Sequence, residues 1–273
     1  MERPELAIVD GATKLYGIIG DPIEQVKSPE VITKIFRDAG YNGLMLPLHA
    51  RPDDFDAAIR GLKALVNFRG IVLTVPHKVR AMPHVDHLLP RAVRVGAVNV
   101  MRREQDGTWT GDMFDGQGLV RAIRDAGFDP SDKRVMLIGA GGAGSAIADA
   151  LAEAEVRSVT IADLNDMQAK EVVSRLGKAH PHCMIRVGPA SAENCDLLVN
   201  ATPTGMTPGD GMPGNFGAFD SRMFVADVVT KPEITPLLAH AMACGCKIAS
   251  GVAMFHGQAK ELTRFLVPDI KPR

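Results

Sequence analysis

The chain has 273 residues, long enough for two domains, and 46% of them are hydrophobic against 23% charged, the balance of a globular protein with a sizeable core. The formal net charge of −1 gives no electrostatic footprint for nucleic acid or an anionic membrane. Glu2, Arg3, Glu5 and Asp10 exclude a signal or transit peptide at the N-terminus, and no apolar run approaches the roughly 20 residues of a membrane helix, so a cytoplasmic protein is expected.

The first half alternates strands and helices. Lys14 to Gly20 reads as a buried strand, followed by a turn at Asp21-Pro22 and a helix from Pro29 to about Ala39. Gly43 to Leu48 is a second strand. Asp53 and Asp54 are expected to cap a helix whose apolar face runs through Phe55, Ile59, Leu62 and Val66. Gly70 to Val75 is a third strand. A connection rich in Pro and His leads to a strand at Val98 to Arg103, and Asp106-Gly107 turns it into a hairpin with the segment around Trp109. Parallel pairing plus one hairpin predicts a mixed sheet. Asp115 to Ala126 reads as a helix leading out of this domain.

From Arg134 the βα rhythm begins again. Strands are expected at 134–138, 158–162, 184–187, 196–200, 223–228 and 247–250, and helices after Gly144, at about 166–176, 235–243 and 253–266. Pro208 to Gly217 reads as a mobile flap or a surface loop. The cysteines, Cys183, Cys195, Cys244 and Cys246, make no disulfide framework. Neither Cys244-Gly-Cys246 nor His180, His182 and Cys183 has a second pair at zinc spacing, so no metal is expected.

Arg134-Val-Met-Leu-Ile-Gly139-Ala140-Gly141-Gly142-Ala143-Gly144 organises the second half. Its glycines fit Gly-x-Gly-x-x-Gly: Gly139 for the tight turn, Gly141 for the approach of a pyrophosphate, Gly144 for close helix–strand packing. Free amides at the helix start would hold phosphate oxygens. The alternative is a merely tight strand–helix turn. Asp163 stands 24 residues after Gly139, at the end of the next strand, where a carboxylate can bind ribose hydroxyls and would repel a 2′-phosphate. No arginine accompanies it, so NAD is expected over NADP; the alternative is that Asp163 caps the next helix. Thr74-Val-Pro-His77-Lys78 lies at the carboxyl edge of the third strand, where open α/β sheets carry their sites. Lys78 there can relay a proton or hold an acid, or be an ordinary surface lysine, and His77 reads as structural.

Several segments together resemble the shikimate/quinate dehydrogenases. They are Gly17-Ile-Ile-Gly20-Asp-Pro22-Ile with Ser28-Pro29, Thr74-Val-Pro-His-Lys78, Gly96-Ala-Val-Asn99, Gly111-Asp-x-x-Asp115-Gly116, the glycine loop, Asn200-Ala-Thr-Pro-Thr-Gly-Met206, Thr235-Pro-Leu-Leu and Gly257-Gln258. They occur in family order from about residue 15 to 262. The resemblance implies an N-terminal mixed-sheet α/β substrate domain (1–112 and 253–273) and a Rossmann NAD(P)-binding domain (113–252). It also implies reversible hydride transfer between cofactor and a ring hydroxyl, within aromatic amino acid biosynthesis or quinate metabolism. By the same resemblance Lys78 and Asp115 handle the hydroxyl proton, and Ser28, Thr74, Asn99 and Gln258 bind the substrate. The cofactor lies along residues 139–144, Asp163, Ala201, Thr202, Met206, Val228, Gly251 and Met254. A small-molecule cyclic hydroxy acid is the expected partner, with a monomer or homodimer as the assembly.

The departures bear on the substrate. The first serine of the family's Ser-x-Ser-Pro is Val26, the asparagine two before Thr74 is Val72, the Asn-Thr before Asp115 is Met113-Phe114, and the tyrosine three after Asp227 is Thr230. Losing partners for a substrate hydroxyl can cost orders of magnitude in rate for that substrate. Val26, Val72 and Phe114 therefore point to a ring acid other than shikimate: quinate, one with fewer or differently placed hydroxyls, or an amino analogue. The rival readings are a non-catalytic or regulatory NAD-binding protein that keeps the fold, and another two-domain NAD enzyme such as a methylene-folate dehydrogenase.

Overall fold

Short apolar runs and amphipathic stretches alternate along the computed structural model, which describes residues 9–270. β1 (Lys14–Gly20), α1 (Ser28–Asp38), β2 (Gly43–His49), α2 (Phe55–Ala64), β3 (Phe68–Leu73), β4 (His87–Leu88), α3 (Pro90–Val95), β5 (Val100–Arg103) and β6 (Trp109–Asp112) form the first part. There follow α4 (Asp115–Asp125), β7 (Arg134–Ile138), α5 (Gly142–Glu153), β8 (Ser158–Ala162), α6 (Asp166–Ala179), β9 (Met184–Val187) and β10 (Leu197–Asn200). β11 (Phe224–Asp227), α7 (Pro236–Ala243), β12 (Lys247–Ala249) and α8 (Gly251–Leu266) complete the chain.

The chain divides into two units. One comprises described residues 9–88, 99–111 and 259–270; the other comprises 89–98 and 112–258. The first holds a six-stranded sheet in the order β2-β1-β3-β5-β6-β4. β1 runs parallel to β2 and β3, whereas β5 is antiparallel to β3, so the sheet is mixed as the hairpin requires. Asp106-Gly107 makes the turn, with Gly107 at φ 90° and the Thr108 amide donating to the Asp106 carboxylate at 2.9 Å. The second unit holds a six-stranded parallel sheet in the order β12-β11-β10-β7-β8-β9. This is the doubly wound order, with a reversal between β7 and β10. α5 is buried on nearly every side, which its run of alanines and small residues permits.

Several boundaries differ from the sequence reading. Asp54 stands at the N-cap of α2, but Pro52–Asp54 forms a 3-10 turn and no side-chain capping bond is made at the start of α2. β3 ends at Leu73, because Thr74 to Lys78 turns away. The Pro- and His-rich connection contains β4 and α3. α3 also moves the domain boundary: residues 89–98 lie in the second unit, as do residues 253–258, rather than with the first sheet. The cause is polar. Arg94 donates through Nε and Nη2 to the two carboxylate oxygens of Asp149, which is fully buried on α5. From α6, Arg175 donates to the carbonyls of Arg94 and Val95 at 2.8 and 2.7 Å. His180 completes the cluster on Asp149 at 2.7 Å.

Candidate active site

The strand–glycine–helix segment is shaped by three different demands. Gly139 has φ 105°, and a Cβ there would lie 2.9 Å from the Ala201 backbone, at the junction of β7 and β10. A Cβ on Gly144 would stand 2.0 Å from the Gly139 carbonyl oxygen. A Cβ on Gly141, the N-cap of α5, would meet nothing within 4 Å among the described residues. Two of these glycines are fixed by crowding within the fold, and the third faces open space, as the approach of a pyrophosphate to the backbone requires. The first bond of the helix ladder runs from the Ser145 amide to the Gly141 carbonyl at 2.8 Å, so the amides before it lie outside the ladder at the positive end of α5. These residues fit a dinucleotide.

Asp163 holds this loop as well as flanking it. Its Oδ2 accepts from the Ala140 amide at 2.6 Å and its Oδ1 from the Asn165 amide at 2.8 Å. It does not cap α6; Asn165 does, accepting from the Gln168 amide. The nearest cations in sequence on either side, Arg157 and Lys170, are paired with Asp132 and Asp166.

A buried network fixes the neighbouring loop after β10. Asn200 Nδ2 donates to Asp227 and to the Thr204 carbonyl, both at 3.1 Å, while its Oδ1 accepts from the Thr202 amide and hydroxyl. Asp227 also accepts from the Val229 amide and from Thr235, the N-cap of α7. Burial pushes the Asp227 carboxyl above the usual carboxylate range, against these hydrogen bonds. Asp210 accepts from the Gly205 and Thr207 amides, and Phe216 and Phe219 are buried in a core cluster, so the 208–217 segment is tied down at both ends. Met206 and Val228 are half-buried. Gly251 meets Val228, since a Cβ there would lie 2.4 Å from its carbonyl oxygen. Met254 is buried in the main core of this unit.

Asp115 opens α4 and is buried, at the helix end where a carboxylate is favoured. Close packing sets its place. A Cβ on Gly116 would lie 2.1 Å from the Ala146 carbonyl of α5, and one on Gly118 would lie 2.9 Å from the Cβ of Gln258 on α8. Asp115, Gln258 and the α5 start therefore belong to one packed helix group. Met113 is fully buried with Val95, Ala97 and Ala146, so this departure fills core space. Phe114 is buried and carries the Arg91 guanidinium over its ring at 4.6 Å.

In the first unit, Thr74 lies at the carboxyl ends of β1 and β3, its amide donating to the Ile19 carbonyl at 3.0 Å. Its methyl would stand 2.3 Å from a Cβ on Gly20, so glycine at the end of β1 makes room for it. Asn99 is buried beside it, its carbonyl accepting from the Leu73 amide at 2.7 Å. Ser28 is buried at the start of α1, Val72 is buried in β3, and Val26 is half-buried in the connection after β1. Lys78 is half-buried and follows His77, which is structural: its Nε2–H donates to the Ala50 carbonyl at 2.8 Å, and its ring stacks on Phe55 at 4.3 Å. Among the described residues no group of three or more His, Cys, Asp or Glu could hold a metal ion, and no helix is long and apolar enough to cross a membrane.

Comparison with known proteins closes the question of family. Residues 18–101 match the family model for the shikimate dehydrogenase substrate-binding domain, and 122–207 match that for shikimate/quinate 5-dehydrogenase. A shikimate dehydrogenase (NADP(+)) of Moorella thermoacetica is 38% identical over 253 residues, 90% of this chain and 85% of that protein. The chain belongs to the shikimate dehydrogenase family. Within that family, shikimate 5-dehydrogenase of Listeria monocytogenes, solved with shikimate and NAD, is 28% identical with a TM-score of 0.84, over 97% of this chain and 95% of that one. The ligand-free 5-ketofructose reductase of a Gluconobacter species is 25% identical with a TM-score of 0.81, over 94% of both chains. The protein is a shikimate/quinate dehydrogenase-like oxidoreductase that uses a nicotinamide dinucleotide.

Sequence reasoning missed Arg91 and Asp210, and used Asp227 only as a landmark for Thr230. Asn200 and Thr235 were visible as family segments, but nothing local joins them to Asp227, which lies 27 residues from one and 8 from the other. Arg91 sits on the unpredicted α3.

Proposed function

We propose that this dehydrogenase prefers NAD to NADP and acts on a cyclic hydroxy acid other than shikimate. The observation that carries the cofactor preference is Asp163: a carboxylate held by the glycine-loop amide of Ala140, with no unpaired cation from 162 to 170 to receive a 2′-phosphate. Curated relatives named for NADP(+) make this preference a property of the chain's own residues rather than of the family. Residues 139–144, Asp163, Ala201, Thr202, Met206, Val228, Gly251 and Met254 bind the dinucleotide, and Ser28, Thr74, Asn99 and Gln258 bind the acid. The second unit is then the cofactor domain, and the first supplies Ser28, Thr74 and Asn99 to the acid.

Bound NAD supplies the hydride acceptor. Oxidising an alcohol also releases a proton, and Lys78 with Asp115 takes it, in the roles the family resemblance gives them. Val26, Val72 and Phe114 support a substrate with fewer hydroxyls on the faces those side chains adjoin, because an apolar wall leaves a substrate hydroxyl without a partner. The 5-ketofructose reductase on the same fold supports a substrate range wider than shikimate.

The test is kcat/KM for shikimate and quinate with each dinucleotide. NAD is expected to exceed NADP by about tenfold or more, about 1.4 kcal/mol, and quinate or a less hydroxylated ring acid to exceed shikimate. Equal use of NADP would refute the cofactor reading, and shikimate as the best substrate would refute the substrate reading. A Lys78→Ala variant with full activity would remove Lys78 from the mechanism.

A further inference from the structure

We propose that Arg91 is a positioning residue for the reaction, holding the β6–α4 junction and with it Asp115. The inference rests on the proton-handling role of Asp115 argued above. One guanidinium grips three consecutive residues. Its Nη1 donates to the Met113 carbonyl at 3.2 Å, its Nη2 lies 3.5 Å from Asp112 Oδ2, and its carbon stands 4.6 Å over the Phe114 ring. The next residue is Asp115.

The support behind Arg91 is itself fixed. Arg91 and Arg94 are one turn apart on α3, and Arg94 is bound to the buried Asp149 while Arg175 takes the carbonyls of Arg94 and Val95. α4, by contrast, starts without a side-chain cap, because Phe114 occupies the N-cap and has no acceptor to offer. The Arg91 stack replaces that missing fixation. Asp112 strengthens the case: it is buried, its Oδ1 has no hydrogen-bond partner among the described residues, and burial pushes its carboxyl up while Arg91 pulls it down. Arginine is required because a lysine is a point charge that cannot lie flat on a ring and donate in two directions.

The experiment measures kcat, KM and melting temperature for Arg91→Lys, Arg91→Met, the double variant Arg91→Met/Asp112→Asn, and Asp115→Asn. NAD is used with whichever of shikimate and quinate is turned over faster. Arg91→Met takes from the buried Asp112 the cation that lies against it and is expected to melt lower; the double variant removes that carboxylate charge and restores the melting temperature. If Arg91 positions Asp115, kcat stays down on the order of 10- to 100-fold in both, since small misplacements of a reacting group cost this much. KM for NAD stays within about twofold, the mark of an interaction that acts on the reaction step. Arg91→Lys, which keeps the charge and the fold, shows about a tenfold loss of kcat on the same scale. A double variant that regains kcat together with stability would reduce Arg91 to a structural role, and so would full kcat in Arg91→Lys. A raised KM for the ring acid at unchanged kcat would make Arg91 a substrate ligand instead. Full activity in Asp115→Asn would refute the role of Asp115 itself, whatever Arg91 does.

Discussion

Gly141 and Gly144 stand three residues apart and carry opposite burdens. Alanine at Gly144 would push a methyl into the Gly139 carbonyl, so backbone must move and the protein is expected to melt several degrees lower. Alanine at Gly141 meets no atom within 4 Å among the described residues, and φ −66°, ψ −171° suits any residue, so the fold is expected to keep its melting temperature. On the proposed cofactor placement the added methyl occupies the space where pyrophosphate approaches, and Kd for NAD, measured by titration calorimetry, is expected to rise about tenfold or more, the equivalent of about 1.4 kcal/mol. A Gly141→Ala protein that binds NAD normally would displace the pyrophosphate from this loop. Spacing alone made all three glycines legible, because each demand is local to the strand–turn–helix unit. Asp163 was legible as a residue at a strand end, yet its bond to Ala140 was not, because that bond bridges 23 residues between neighbouring strands.

At the scale of elements, the turn from Thr74 to Lys78 depends on α2. His77 gives one nitrogen to Ala50 and lays its ring on Phe55, while its Nδ1 is buried without a hydrogen-bond partner among the described residues. Protonation would place a buried charge there, and burial accordingly holds the imidazole below its usual range. Above about pH 6.5 the side chain is neutral in both folded and unfolded chains, and its contribution is complete. As pH falls below that value the unfolded chain takes up the proton first, so stability declines until the folded pKa is passed. Urea midpoints between pH 7.5 and 5.5 are expected to fall less steeply in His77→Gln, which keeps a donor for Ala50. Equal slopes in the two proteins would exclude His77 as the source. Long periodic elements such as α1, α4 and α6 were readable from their apolar spacing. α3 was not: six residues give less than two turns of pattern, and its place comes from Asp149, 55 residues beyond Arg94.

For the whole molecule, the βα rhythm and one hairpin predicted a mixed sheet, the family resemblance implied a Rossmann domain, and both are present. The allocation of residues 89–98 was not readable, because long-range ion pairs overrode chain order. The glycine loop and both its flanking strands lie within the second unit, so on the proposed function dinucleotide binding is expected to need no ring acid. NAD alone at about 100 times its Kd is expected to stabilise the fold by about 2.7 kcal/mol, read as a rise in melting temperature. NADP at the same concentration is expected to give a smaller rise. A thermal shift that appears only when the ring acid is also present would refute independent nucleotide binding.

The open space above Gly141 also bears on how such a lineage can change. Every replacement at Gly144 adds a side chain that the fold cannot hold, so selection meets it first as misfolding, whatever the enzyme's task. A replacement at Gly141 passes that filter. One codon change there is expected to yield a well-folded descendant whose other side chains are intact but whose hold on the cofactor is weakened. Such a protein is free to drift toward a non-enzymatic use, and its pedigree would be written in a single missing glycine.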